Sequence, residues 1–195
     1  EGKIHYRNAA TILEQISLSL MPRDRIAIMG DNGSGKSTLI KAILDDPNVM
    51  KSGLWLSPKR NDFGYLDQHY ATLDTKKSVL ESLQECVPKW QFSDYRFHLA
   101  DFLFRSNEEV TAKVASLSGG EKVRLTLALV AAKTPRLLIL DEITNNLDLE
   151  TREHVIQVLR EYPGCLITIS HDEDFLTSIG VTDRYRIASG LLLSQ

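Results

Sequence analysis

Cysteine is scarce in this 195-residue sequence: only Cys86 and Cys165 occur, far apart and without C-x-x-C spacing. That argues against a disulfide framework or a thiolate metal site and leaves both as buried apolar residues in a reducing compartment. Long hydrophobic runs are also missing. No apolar stretch reaches the length that crosses a bilayer, and no charged-then-apolar leader opens the chain, so the reading is a cytoplasmic protein whose membrane role, if any, needs a separate partner. Neither sign of charge dominates: 23 Lys and Arg stand against 26 Asp and Glu, a net charge of -3, which gives no reason to expect nucleic acid. Pro/Gly/Ser-rich linkers, low-complexity tracts and internal repeats are absent. What is left, 43% hydrophobic and 25% charged, is an ordinary globular composition sized for one domain or one domain with a small subdomain. The chain opens at Glu1 and ends on Leu191 to Gln195 just after Gly190, so both ends read as cut from something longer, although tag removal would leave the same first residue.

The stretch that organises the rest is Gly30-Asp31-Asn32-Gly33-Ser34-Gly35-Lys36-Ser37-Thr38. It follows the apolar run 25–29 and precedes Leu39-Ile40-Lys41-Ala42-Ile43-Leu44, an order of strand, glycine-rich turn and helix that fits G-x-x-x-x-G-K-[ST] in letters and context. Without Cβ atoms the glycines let the backbone turn its N–H groups around a di- or triphosphate at the positive end of the helix. Lys36 is placed to reach the outer phosphates, and the Ser37 hydroxyl to ligate Mg²⁺, which shares oxygen ligands with substrate phosphates. The competing reading is a flexible surface loop with a chance lysine.

Before that loop, residues 3–6 and 13–20 read as an antiparallel hairpin, with Ile16, Leu18 and Leu20 on one face. Tyr6 lies on it, as a packed strand tyrosine or as a ring on which a base stacks. After the first helix, residues 53–56 and 62–66 read as short strands leading to Asp67-Gln68-His69, where a lone Gln or His is ordinarily a solvated loop residue. From about 75 the pattern turns helical: Val79, Leu80, Leu83 and Val87 share a face until Pro88, and Ser93 is expected to cap a second helix with Tyr95, Phe97, Leu99, Phe102, Leu103 and Phe104 in its core stripe. Leu117-Ser118-Gly119-Gly120-Glu121 carries a capping-box pattern at the start of a helix to Lys133. It reads either as a second anion-binding helix end or as a plain capped core helix.

Residues 136–142 form a continuous apolar run that ends in Asp141 and Glu142, the pattern of a strand buried on both faces of a parallel sheet. Ligands sit beyond the carboxyl ends of such strands. There Asp141 can hold Mg²⁺ directly or through water, and Glu142 can accept a proton from an attacking water. Asn145-Asn146-Leu147-Asp148 leads into a helix from about 149 to 160, then Cys165 to Ser170 is another buried strand with His171 at its carboxyl end, and residues 184–188 read as a final edge strand.

Taken together and in order, these motifs resemble the ATP-binding-cassette (ABC) ATPases. Gly30 to Thr38 looks like the Walker A loop, Gln68 the Q-loop, Leu117 to Glu121 the LSGGE signature, Leu137 to Glu142 Walker B with the catalytic glutamate, Asn146 to Asp148 the D-loop and His171 the switch histidine. Tyr6 falls where the family's adenine-stacking aromatic belongs. The resemblance implies an α/β P-loop NTPase fold of ABC type: a mainly parallel core sheet, an N-terminal antiparallel β-subdomain and a small helical subdomain over about 75–134, all in a single nucleotide-binding domain. It also implies ATP and Mg²⁺ as ligands, metal contacts at Ser37, Gln68 and Asp141, and catalytic roles for Glu142, His171 and Lys36. Nucleotide contacts would come from Tyr6, the loop 30–38, Gln68 and Asp148, with Ser118, Gly119 and Gly120 closing over nucleotide held by a second cassette. Residues 65–69, the short helical insertion and residues 141–148 look most like the second cassette of ABC-F proteins, soluble tandem-cassette proteins of which many act on ribosomes. Ile143 stands for that subfamily's proline, Asn146 for its histidine and Arg23 for a glycine before Asp24. The alternative role is the ATPase subunit of an ABC membrane transporter.

Overall fold

In the computed structural model, which describes residues 2–7, 10–57, 59, 62–67, 72–144 and 147–195, the apolar runs become the centre of a nine-stranded sheet. In chain order the strands are β1 (Gly2–Tyr6), β2 (Thr11–Ile16), β3 (Arg25–Gly30), β4 (Val49–Ser52), β5 (Phe63–Leu66), β6 (Leu137–Asp141), β7 (Cys165–Ile169), β8 (Asp183–Ala188) and β9 (Leu191–Ser194). The helices are α1 (Lys36–Ile43), α2 (Val79–Cys86), α3 (Phe92–Asp101), α4 (Asn107–Thr111), α5 (Gly119–Lys133), α6 (Leu149–Glu161) and α7 (Glu173–Ser178). Across the sheet the order is β4-β1-β2-β9-β8-β3-β7-β6-β5. Strands β5, β6, β7, β3 and β8 pair in parallel, whereas β1 runs antiparallel to β2 and β4, and β8 to β9.

The two faces of the parallel strands bury different layers, as the period of two requires. Ile26, Ile28, Ile139 and Ile167 pack with Leu39 and Ile40 of α1. Leu138, Leu140 and Leu166 face the other way, into one apolar cluster with Val123 and Leu127 of α5, Val155 and Leu159 of α6 and Phe175 of α7. Helices α2 and α3 lie on α5, and α4 on α2. Leu83, Tyr95, Leu99, Phe102 and Phe104 extend the same cluster, so the helices in the 75–134 interval share their core with the sheet.

Several local expectations shift. Strand β2 stops at Ile16, and residues 17–20 keep their alternation without a ladder. The strand expected at 53–56 lies earlier, as β4, where Val49 to Ser52 find β1 as a partner. Helix α3 starts after Gln91, whose N–H donates to the Asp94 carboxylate, instead of after Ser93. Phe97 leaves the expected core stripe and is 74% exposed. Strand β8 lies inside the sheet between β9 and β3, so it is no edge. Cys86 is only half-buried while Cys165 is buried, and both are free thiols. Arg23, standing where the resemblance expects glycine, has φ 72°, a left-handed conformation that glycine adopts without steric cost.

Candidate functional site: a phosphate-type loop at the carboxyl ends of the sheet

Strand β3 ends at Gly30, and the loop that follows bends back under a turn in which Ser34 N–H donates to Asp31 O at 3.1 Å. Gly35, with φ 110°, then starts α1. Among the described residues no side chain caps the N-terminus of helix α1, whose N-cap is Gly35, and its first turn holds no acid. Each of the other α-helices has an acid there. An uncapped positive helix end is a ready anion site. Buried Lys36 curls over the loop and donates from Nζ to Gly30 O at 2.7 Å and Asp31 O at 3.0 Å. Its charge is thus anchored inside the curve of the loop. The Ser34 hydroxyl is buried without a partner among the described residues.

A cleft of about 500 Å³ opens against this helix end, lined by Ile12, Asn32, Gly33, Gly35, Lys36, Ser37, Thr38, Asp141 and Glu142. The acids reach it because β6 pairs with β7 up to Asp141 opposite Ile169. Asp141 is half-buried, and Tyr65 of the neighbouring β5 donates its hydroxyl to Asp141 Oδ2 at 3.2 Å. Burial raises the Asp141 carboxyl above its ordinary range, Glu142 and Asp67 push the same way, and the Tyr65 hydrogen bond and Lys36 oppose them. Tyr65 itself is pushed up, first by burial and then by Asp141. Glu142 takes a left-handed φ of 52° and donates its N–H to Ile169 O at 2.9 Å. A non-glycine residue held there costs of order 1–3 kcal/mol, and such strain clusters at functional positions.

This donor set fits a small hard cation shared with phosphate. Ser37 Oγ and the Asp141 carboxylate border the same cleft as the helix end. No cluster of three or more His, Cys, Asp or Glu that could hold a metal occurs among the described residues. Mg²⁺ is ordinarily held in this way, by one or two protein oxygens plus substrate phosphates.

Other expected residues stand apart from the cleft. Ser118 and Glu121 form the expected capping box, with Ser118 N–H donating to Glu121 Oε2 at 2.7 Å and Glu121 N–H to Ser118 Oγ at 3.3 Å. Ser118 and Gly119 are exposed, and neither they nor Gly120 line the cleft. Gly120 is buried against the start of α6: a Cβ there would lie 3.2 Å from Asp148 Oδ2 and from Thr151 Oγ1. Asp148 caps α6, accepting from Thr151 N and Oγ1 at 2.9 Å. His171 is exposed just past β7. Tyr6 is half-buried at the end of β1, packed on the α1-side core and outside the cleft. Gln68, Asn145 and Asn146 lie outside the described residues.

Two residues of the site had no site role in the sequence reading: Ile12, which lines the cleft, and Tyr65, which bonds one of its acids. Ile12 sits on β2, one residue before the stretch 13–20 expected as a strand, and its Cγ2 would be 3.2 Å from a Cβ on Gly35. Tyr65 carried a usable signal, a hydroxyl in a buried-type strand. Its partner follows from the parallel register, which sets Tyr65 beside Ile139, on the face shared with Asp141 two residues on.

The family described as ABC transporter matches residues 13–145. Among curated proteins the chain is 40% identical over 170 residues to the probable ATP-binding protein YheS of Haemophilus influenzae, aligning 87% of this chain with 26% of that one. It is 39% identical to the putative ATP-binding protein YdiF of Bacillus subtilis (90% and 27%) and 36% identical to the ATP-binding protein Uup of Buchnera aphidicola (92% and 30%). The chain therefore spans under a third of the length of each of these relatives. Among solved structures it is similar to the dimeric post-hydrolysis ATP-binding cassette MJ0796 bound to ADP and Pi, with TM-score 0.76 at 20% identity over 100% of this chain and 98% of that one. An ATP-binding subunit of an ABC transporter gives TM-score 0.80 at 19% identity over 100% and 89%. With the loop, the helix end and the acids assembled as the sequence motifs require, and the family match covering most of the chain, this protein belongs to the ABC transporter family as an ATP-binding cassette.

Proposed function

We propose that the chain binds Mg-ATP and hydrolyses it as one member of a cassette pair. The observation that carries this reading is the cleft that brings Lys36, Ser37, Asp141 and Glu142 to one uncapped helix end. The phosphates of ATP lie along the loop N–H groups, and Lys36 turns its ammonium from Gly30 O and Asp31 O toward the outer phosphates. Ser37 and Asp141, with Gln68 as a further contact, would hold Mg²⁺, which when bound would supply positive charge to offset that developing on the transferring phosphoryl group. Glu142 Oε takes the proton of the attacking water, which must stand in line with the leaving oxygen. His171, beyond the end of β7, donates a polar contact to the γ-phosphate, and Tyr6 stacks on the adenine. Ser118, Gly119, Gly120 and Asp148 serve the nucleotide of the facing cassette, which explains their distance from this chain's own cleft. We read residues 1–195 as a single cassette with its helical subdomain at about 75–134, part of a longer cytoplasmic tandem protein of ABC-F type acting at the ribosome. The match to under a third of the length of the ATP-binding proteins YheS, YdiF and Uup supports the longer-protein part of that reading.

One site built from two half-sites predicts that turnover by this chain rises faster than linearly with its concentration. Glu142→Gln is expected to keep ATP affinity, lower turnover by about 100-fold or more, and yield an ATP-dependent dimer by size-exclusion chromatography with light scattering. Wild-type turnover in that variant, or a rate strictly proportional to concentration, would sink the reading. Co-sedimentation of the full-length parent with ribosomes, carrying this change and its equivalent in any other cassette, tests the ribosomal role: pelleting in Mg-ATP and not in Mg-ADP is expected. Indifference to ribosomes in a variant that still closes on ATP would instead favour a transporter subunit.

A further inference from the structure

Between the start of α6 and the end of β7 lies a polar junction that none of the motif residues accounts for. Arg152, on the first turn of α6, donates to Asp172 through both terminal guanidinium nitrogens, Nη1 to Oδ2 at 2.5 Å and Nη2 to Oδ1 at 3.1 Å. Asp172 immediately follows His171. Its Oδ1 also accepts the Phe175 N–H at 2.9 Å, capping α7, and its own N–H donates to Ser170 Oγ at 3.1 Å. The Ser170 hydroxyl lies 3.5 Å from Thr144 Oγ1, two residues beyond Glu142. The Arg152 guanidinium also covers the Phe175 ring, 5.7 Å from its centroid. The peptide after His171 is thus held through the Asp172 N–H, while His171 itself is exposed. At its other end the junction meets the signature through the backbone of α6: the first helical bond runs from Arg152 N–H to Asp148 O at 2.9 Å, and a Cβ added at Gly120 would lie 3.2 Å from Asp148 Oδ2 and Thr151 Oγ1.

We propose that Arg152 is a positioning residue that sets His171 for the γ-phosphate and ties that setting to the start of α6, so that movement of the Gly120 to Asp148 contact is felt at the histidine. The geometry favours this over a merely structural ion pair. A planar bidentate fork fixes direction as well as distance, and Asp172 has its second role, the α7 cap, satisfied through the same carboxylate. Both side chains remain about a quarter to a third exposed, at 26% and 30%, so the pair contributes little to stability. Its value lies in geometry. The inference rests on the reading above that His171 contacts ATP.

The test is a double-mutant cycle on ATP turnover by this chain at fixed protein concentration, with fluorescent-ATP affinity measured in parallel. Arg152→Met keeps the apolar stem on Phe175 and removes the fork. It is expected to lower kcat by about tenfold with KM within about twofold, while Arg152→Lys, which retains one contact, falls between. His171→Ala is expected to lower kcat more. In the His171→Ala background, Arg152→Met should produce no further loss, because it acts through the ring that is gone. Multiplying losses, or an Arg152→Met variant with wild-type kcat beside an impaired His171→Ala, would overturn the positioning role and leave the ATPase reading standing. An unaffected His171→Ala would instead overturn the histidine assignment on which this rests. Should Arg152→Met fail to fold, Arg152→Lys carries the same cycle.

Discussion

Gly30 offers the sharpest test of how the loop is built. Its φ is 151°, and an added Cβ would stand 2.7 Å from the backbone oxygen of Ile187 and 2.7 Å from Ser34 Oγ. The serine hydroxyl has no partner among the described residues and can swing away. The Ile187 carbonyl cannot, because Gly30 and Ile187 face each other across the β3–β8 ladder. Gly30→Ala therefore combines backbone strain of about 1–3 kcal/mol with overpacking of about 1–3 kcal/mol. Gly33→Ala supplies the control: its φ of 79° also strains alanine, yet nothing lies within 4 Å of its Cβ. There only about 1–2 kcal/mol of strain applies, offset by about 0.4–1 kcal/mol of lost unfolded-state entropy. With a urea slope of about 2 kcal/mol/M and the same entropy offset for both changes, the midpoint should fall by about 0.5–3 M for Gly30→Ala and by about 0.8 M or less for Gly33→Ala. Urea melts followed by circular dichroism give both values. Equal drops would refute the argument that the β8 carbonyl sets the position of the loop.

Asp141→Asn should stabilise the nucleotide-free protein while abolishing Mg-dependent turnover. Because burial raises the folded Asp141 pKa, the stability this group contributes is complete below its unfolded value, near pH 4, and is lost as pH rises through the folded value. The melting-temperature gain of the variant should thus widen from about pH 4 to about pH 7, and a gain independent of pH would count against it. Tyr65→Phe removes a bond that holds the Asp141 pKa down, so the acidic limb of the pH–turnover profile should move to higher pH; an unmoved limb would argue that the bond is idle. Arg25, 8% exposed, donates to Gly164 O at 2.7 Å and to Tyr162 O, pinning the turn before β7 to the start of β3. Losing these charged bonds in Arg25→Met should cost about 3 kcal/mol, a drop of roughly 6–12 °C by calorimetry for a chain of this size. Thr168 is 1% exposed with an unpartnered hydroxyl among the described residues. Thr168→Val should therefore gain about 1 kcal/mol, and a loss would reveal a partner for that oxygen.

The sequence by itself determined what depends on near neighbours along the chain. The glycine-rich turn from β3 into α1, the Ser118–Glu121 capping box and the acids closing β6 all stand where their letters put them, because strand, turn and cap each close within a few residues. Arg23 shows the same locality: the turn demands a left-handed residue, and the chain supplies one at a cost. Only the tertiary structure decided what rests on strand order and register. It placed β8 inside the sheet, because β9 and β3 come from opposite ends of the chain to flank it. It also brought Ile12 over the loop, set the Tyr65 hydroxyl on Asp141 and joined Arg152 to Asp172. Each of these contacts spans residues that no local pattern relates, and each exists because burying both faces of the parallel strands leaves one register in which the carboxyl ends of β3, β6 and β7 meet.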